Sequence, residues 1–231
     1  MAPIRTFPDR AALMDAAAER IASALRAGMN LRGRACAALS GGSTPEPAYR
    51  VLAALDLSWA DVTFALVDER CVAADHPASN EGLLRCALAP ALDKGAKLIP
   101  MFAPGLLPEA AAAAANATYK ELHLDVALMG MGADGHTASW FPGALGLAEA
   151  LNPSNTRTVV ALHAAQATGA PDRLSLTCAA IARAGAVLLL IAGGDKRAVL
   201  EHALNAAPGH APPVARLFSN PGTAPEIMWA P

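Results

Sequence analysis

Gly130-Met131-Gly132-Ala133-Asp134-Gly135-His136 puts a carboxylate and an imidazole two positions apart on a glycine-rich loop. An imidazole exchanges protons near neutral pH, and a carboxylate beside it can fix which ring nitrogen carries the proton. The loop directly follows the strand candidate 124–129, apolar but for Asp125, so it lies where a buried strand would end. His76, His123, His163, His202 and His210 have no comparable setting. His136 is therefore the candidate catalytic histidine, with Asp134 as its neighbour. Residues 137–141 read as a short helical turn stopped by Pro142-Gly143.

Three further segments could hold an anion. In Ser40-Gly41-Gly42-Ser43-Thr44-Pro45 the glycines let the backbone come close to a ligand, and Gly42, Ser43 and Thr44 precede a helix start. Unpaired N–H groups and the positive dipole end gather there. An ordinary strand-to-helix turn capped by Ser or Thr would use the same residues. The segment lacks the G-K-[ST] of a P-loop and the G-x-G-x-x-G of a dinucleotide site, which favours a sugar phosphate over a nucleotide.

Asp68-Glu69-Arg70 closes the apolar run 62–67. Arg70 offers a fork for phosphate or carboxylate, a neighbouring acid could hold it in place, and Asp68 is a candidate substrate-binding residue. A solvated turn also carries three charges in a row. Lys196 follows Gly193-Gly194-Asp195 in the first turn of a helix. The dipole there disfavours a cation by ~0.3–1 kcal/mol, a cost an anionic ligand removes. The plain alternative is a solvated Lys with Asp195 as the N-cap.

The elements that must position these groups alternate between helix and strand. Leu13, Ala17, Ile21 and Leu25 recur at helical spacing, with Gly28 as a stop. Strands are expected at Ala35–Leu39, 62–67, 97–101, 124–129, 158–162, 174–177 and 187–191. Helices are expected after Pro45, over 108–122, and from Asp195 to about Asn205, the last ended by Pro208 and Gly209. Near-continuous apolar strands between helices imply an α/β protein with a mostly parallel sheet covered on both faces. The polar segments all sit at carboxyl ends of strands, where such sheets bind ligands. No repeat, linker or composition shift divides the chain, so 1–231 reads as one domain.

Composition narrows the classes. The 231 residues are 54% hydrophobic and 16% charged, which excludes a disordered chain. A net charge of −2 with no Lys/Arg run speaks against nucleic acid as a partner. The longest apolar stretch, 186–192, is far below the roughly 20 residues of a membrane span. No signal peptide is read at the N-terminus, and Cys36, Cys71, Cys86 and Cys178 form no C-x-x-C pair and no zinc spacing. A cytoplasmic protein with free thiols and without a metal or other cofactor is expected. Cys71 alone adjoins a functional-looking motif.

Together the segments resemble the 6-phosphogluconolactonase family. The likeness runs through Ser40-Gly41-Gly42-Ser43-Thr44-Pro45, Asp68-Glu69-Arg70, Ser79-Asn80, the block from Gly130 to Ser139, Phe141-Pro142-Gly143, Arg173-Leu174-Ser175-Leu176-Thr177 and Gly194-Asp195-Lys196. The Asp-Gly-His-Thr-Ala-Ser block followed by Phe-Pro-Gly is its most specific part. Cys71 stands where the family often has Trp, Trp140 where Leu is usual, and a Lys often found before Arg173 is absent. The resemblance implies a Rossmann-like three-layer α/β/α fold. It also implies hydrolysis of 6-phosphoglucono-1,5-lactone to 6-phosphogluconate in the oxidative pentose phosphate pathway.

In that reading His136 is a general base activating water, and Asp134 or a backbone carbonyl fixes its tautomer. Arg70 orients the substrate or stabilises the oxyanion, while Ser43, Thr44, Arg173 and Lys196 take the phosphate. The partner is a phosphorylated sugar lactone, and the assembly is a monomer or small homo-oligomer. A glucosamine-6-phosphate deaminase of the same fold, or a sugar-phosphate sensor, would share the glycine loop. The first would lack the Thr137-Ala138-Ser139 and Phe141-Pro142-Gly143 blocks, and the second would need a further module.

Overall fold

The computed structural model describes residues 3–207, 210–219 and 224–231. Strand β1 (Ile4–Thr6) leads into helix α1 (Arg10–Arg32), which begins where the Asp9 carboxylate accepts the Ala12 N–H at 2.8 Å. Gly33, at φ 69°, ends the helix with its N–H on the Met29 carbonyl. Gly28, expected as the stop, lies inside α1 instead. A Cβ there would sit 2.5 Å from the Asp125 carboxylate, so the glycine makes room for that side chain, which pairs with Arg32.

The chain continues through β2 (Ala35–Leu39), α2 (Glu46–Ala54), β3 (Val62–Leu66), β4 (Asp68–Arg70), α3 (Asn80–Ala87), α4 (Ala89–Asp93) and β5 (Lys97–Leu98). Then come α5 (Pro108–Tyr119), β6 (Val126–Met129), α6 (Leu147–Ala150), β7 (Val159–His163), β8 (Asp172–Leu176), α7 (Cys178–Ile181), β9 (Val187–Ala192), α8 (Gly194–Asn205) and β10 (Glu226–Ala230). Gly193, not Asp195, occupies the N-cap of α8. Pro208 and Gly209, expected to end that helix, lie outside the described residues.

Seven strands form one parallel sheet in the order β1-β10-β9-β6-β2-β3-β5. Every residue of β2, β6 and β9 is buried, which is why these strands read as unbroken apolar runs. The chain builds outward from β2 through β3 to β5, then returns to β6 on the other side of β2. The crevice beyond β2 and β6 is thus the topological switch point, where open α/β sheets bind ligands.

Five strands depart from the expected scheme. Asp68–Arg70, expected as the tail of the preceding buried strand, is a strand of its own. It joins a second, antiparallel sheet in the order β4-β8-β7. Val67 joins the two sheets: its N–H donates to the Leu39 carbonyl at 3.0 Å and its carbonyl accepts the Leu176 N–H at 2.8 Å. Strands β1 and β10 were not expected, and they widen the parallel sheet beyond β9. Among the described residues no helix is long and apolar enough to cross a membrane.

Candidate active site

A cavity of about 290 Å³ opens at the switch point, and loops from both sheets line it. The segment after β2 supplies Gly42, Ser43 and Thr44. Its first residue is fixed on two sides, because the Ser40 N–H donates to the Leu128 carbonyl at 3.1 Å and the Tyr49 hydroxyl donates to the Ser40 carbonyl at 2.6 Å. Gly41 is required for contact, since a Cβ would fall 1.8 Å from Asn80 Oδ1.

The loop after β6 carries His136. Its Nδ1 lies 2.5 Å from Asp134 Oδ1, and its backbone N–H donates to the same oxygen at 3.1 Å. The ring packs against Gly132, where a Cβ would stand 2.1 Å from His136 Cε1. Burial works against the Asp134 charge, but the His136 amide, charge and ring outweigh it and hold the carboxyl below its ordinary pKa. In the tautomer that carries its proton on Nδ1, that proton meets Asp134 and Nε2 is the acceptor.

The helical turn expected over 137–141 is a tight non-helical turn instead. The backbone turns tightly with Ala138 at φ 50°, and Trp140 N–H reaches the Thr137 carbonyl at 3.0 Å. Side chains hold this turn: Thr137 Oγ1 donates to the Gly130 carbonyl at 2.7 Å and Ser139 Oγ to Asp68 Oδ2 at 2.6 Å. The turn swings Phe141 back against the imidazole, with ring centroids 4.0 Å apart and planes 29° from parallel.

The small sheet contributes the arginines. Arg70 and Arg173 are opposite partners in the β4–β8 ladder and both line the cavity. Like charges in such register repel. Burial, then the Arg70 charge, lower the pKa of Arg173. Arg173 is held by the Ala170 and Thr168 carbonyls, each at 2.6 Å. Arg70 Nη1 donates to the Ala78 carbonyl, and Arg70 Nε is buried with no hydrogen-bond partner.

The acid expected to hold Arg70 does other work. Asp68 binds Ser139, while Glu69 accepts from the Arg70, Asn80 and Glu81 amides and the Ser79 hydroxyl and so fastens the start of α3. Burial pushes the Glu69 carboxyl up despite these donors. Carbonyls therefore replace carboxylates as hydrogen-bond partners of the arginines, while the Asp68 and Glu69 charges act on Arg173 without a direct ion pair.

Lys196, from the first turn of α8, lines the same cavity. Burial, then the Arg10 charge, hold its pKa below the ordinary lysine value. None of Arg70, Arg173 and Lys196 forms an ion pair among the described residues. The structure thus brings His136, Arg70, Asp68, Gly42, Ser43, Thr44, Arg173 and Lys196 to one cavity, with Asp134 directly behind His136. Sequence reasoning gave no site role to Ser40, Asn80, Thr168 or Phe141, which line it too. Ser40 Oγ is buried without a partner. The signal for Ser40 and Phe141 lay in their motifs. Thr168 acts through a carbonyl, which leaves none.

Cys71 faces no such role: burial, Asp172 and Glu69 push its thiol up to about 12, away from the reactive thiolate. Among the described residues no group of three or more His, Cys, Asp or Glu side chains is placed to hold a metal ion.

A crevice at the switch point of a parallel sheet, walled by unpaired cations and backed by a His–Asp pair, defines the class: an α/β enzyme acting on a small anion. Comparison with known proteins narrows it. The chain belongs to the glucosamine-6-phosphate isomerase/6-phosphogluconolactonase family, whose model matches residues 8–229. It is 42% identical over 227 residues to a 6-phosphogluconolactonase of Mesorhizobium japonicum, covering 97% of this chain and 94% of that one. A 6-phosphogluconolactonase of Rhizobium meliloti is 37% identical over 232 residues, covering 100% and 99%. The crystal structure of a 6-phosphogluconolactonase from Shewanella baltica superposes with a TM-score of 0.94 at 32% identity, covering 100% of this chain and 98% of that one.

Proposed function

We propose that the chain hydrolyses 6-phosphoglucono-1,5-lactone to 6-phosphogluconate, with His136 as the general base. Full-length likeness to lactonases supports the reaction. The observation that carries the mechanism is the His136–Asp134 pair opening on a cavity with three unpaired cations. Asp134 holds Nδ1–H, so Nε2 takes a proton from water as the water oxygen bonds to the lactone carbonyl carbon. Arg70 lies on the cavity wall to stabilise the resulting oxyanion. Collapse of the tetrahedral intermediate breaks the bond from that carbon to the ring oxygen, which receives the proton back from the imidazolium. The new carboxylic acid then ionises and releases one proton to solvent.

The phosphate is assigned to Ser43, Thr44 and Lys196, at the starts of α2 and α8, with Arg173 completing the charge. Cytoplasmic action in the oxidative pentose phosphate pathway belongs to the same proposal.

The test mixes the protein with fresh 6-phosphogluconolactone and, separately, with glucosamine 6-phosphate. Proton release above the spontaneous rate with the first, and no ammonia from the second, is the expected result. His136→Ala should lower kcat at least about a hundredfold while remaining folded. Near-normal turnover by a folded His136→Ala protein removes His136 from the mechanism.

A further inference from the structure

We propose that Phe141 is a positioning residue for His136, fixing the plane of the imidazole so that Nε2 faces the cavity. The proposal rests on the general-base reading above. One hydrogen bond does not fix a ring: the Nδ1···Asp134 contact still lets the imidazole swing about the line joining the two atoms. The side chain at 141 removes that freedom. Its ring lies 4.0 Å from the imidazole and nearly parallel to it. Gly132, whose absent Cβ would overlap Cε1 and Nδ1, supplies a second wall. Asp134, Gly132 and Phe141 together define one orientation.

The turn that delivers Phe141 is itself over-determined. Ala138 occupies the left-handed region, unfavourable for a residue with a Cβ, and hydrogen bonds from Thr137 and Ser139 hold it there. Such strain persists only where the surroundings enforce it. Phe141 also touches the Arg173 guanidinium, 5.4 Å from its ring centroid. Arg173 has its own anchors in the Ala170 and Thr168 carbonyls, so it stays in place without the ring. Loss of Phe141 should therefore reach the proton-transfer step and spare substrate binding.

The experiment compares Phe141→Leu with Phe141→Tyr. Leu keeps apolar bulk without a flat face, and Tyr keeps the face. Phe141→Leu should lower kcat about tenfold or more with KM within about threefold, and Phe141→Tyr should restore most of kcat. Equal kcat for wild type and Phe141→Leu overturns the proposal, as does a defect confined to KM or one that Tyr does not relieve.

Should Phe141→Leu fail to fold, the wild-type protein still decides. The stacked phenyl ring should shift the His136 ring-proton resonances upfield, assigned by their loss in His136→Asn. Resonances at unperturbed positions refute the stacking. The two readings separate cleanly. An active His136→Ala protein removes the general base, whereas an inactive one beside an unaffected Phe141→Leu removes only the positioning role.

Discussion

Gly132→Ala isolates the geometry of the base from its chemistry. The backbone at Gly132 is not in the left-handed region, so alanine is conformationally allowed there. The new methyl would stand 2.1 Å from His136 Cε1, 2.2 Å from Nδ1 and 2.8 Å from Asp134 Oδ1. Carbon atoms in ordinary contact sit about 3.5–4.0 Å apart, so the imidazole must retreat by more than about 1 Å. Phe141 blocks part of that retreat, which forces the ring off its line with Asp134. A misplacement of about 1 Å at a reacting group costs on the order of a hundredfold in rate, or about 2.7 kcal/mol of barrier. Initial rates of proton release from 6-phosphogluconolactone, with the spontaneous opening subtracted, measure kcat and KM. The expected result is a hundredfold lower kcat with nearly unchanged KM and an unchanged melting curve. Wild-type kcat in Gly132→Ala would show that the ring position does not govern the reaction.

The remaining expectations concern charge and the turn. Lys196→Ala should slow the phosphorylated lactone and leave unphosphorylated gluconolactone unaffected, and equal slowing of both contradicts the phosphate assignment. Because burial and Arg10 depress the Lys196 pKa, its charge costs stability in the free protein at every pH below that depressed value. Lys196→Met should accordingly raise Tm slightly without phosphate, and a fall in Tm contradicts that sign. Ser139→Ala strips a buried hydrogen bond from Asp68. A loss of ~1.5–3 kcal/mol lowers Tm by roughly 3–12 °C for a chain of this size. An unaltered Tm would mean that the turn does not depend on the contact.

Much of this arrangement was legible in the residues because β2, β6 and β9 are buried on both faces and so appear as plain apolar runs. Their carboxyl ends then located the glycine loop, His136 and Lys196. The second sheet was not legible. Arg70 meets Arg173 across about a hundred positions of sequence, and pairing at that range has no local signature. For the same reason β10 was overlooked, since Ile227 and Met228 become core only by lying against β9. The partners of Arg70 and Arg173 are carbonyls, a feature every residue has, so the expectation of an acid beside Arg70 had nothing to correct it. The seat of Phe141 depends on Ala138 at φ 50°, a conformation alanine does not announce.

Val67 makes the molecule a fixed gauge. The two peptide groups flanking this one residue tie β2 to β8, and through them the loop bearing His136 to the rung of Arg70 and Arg173. The span from proton acceptor to arginines is thus set by a hydrogen-bonded backbone rather than by a closing hinge. The acceptor nitrogen and the oxyanion-stabilising Arg70 are thereby held at a set spacing around the lactone carbonyl. Separating the two sheets at this point breaks both Val67 hydrogen bonds, so on heating, catalysis and the fold should fail in a single transition.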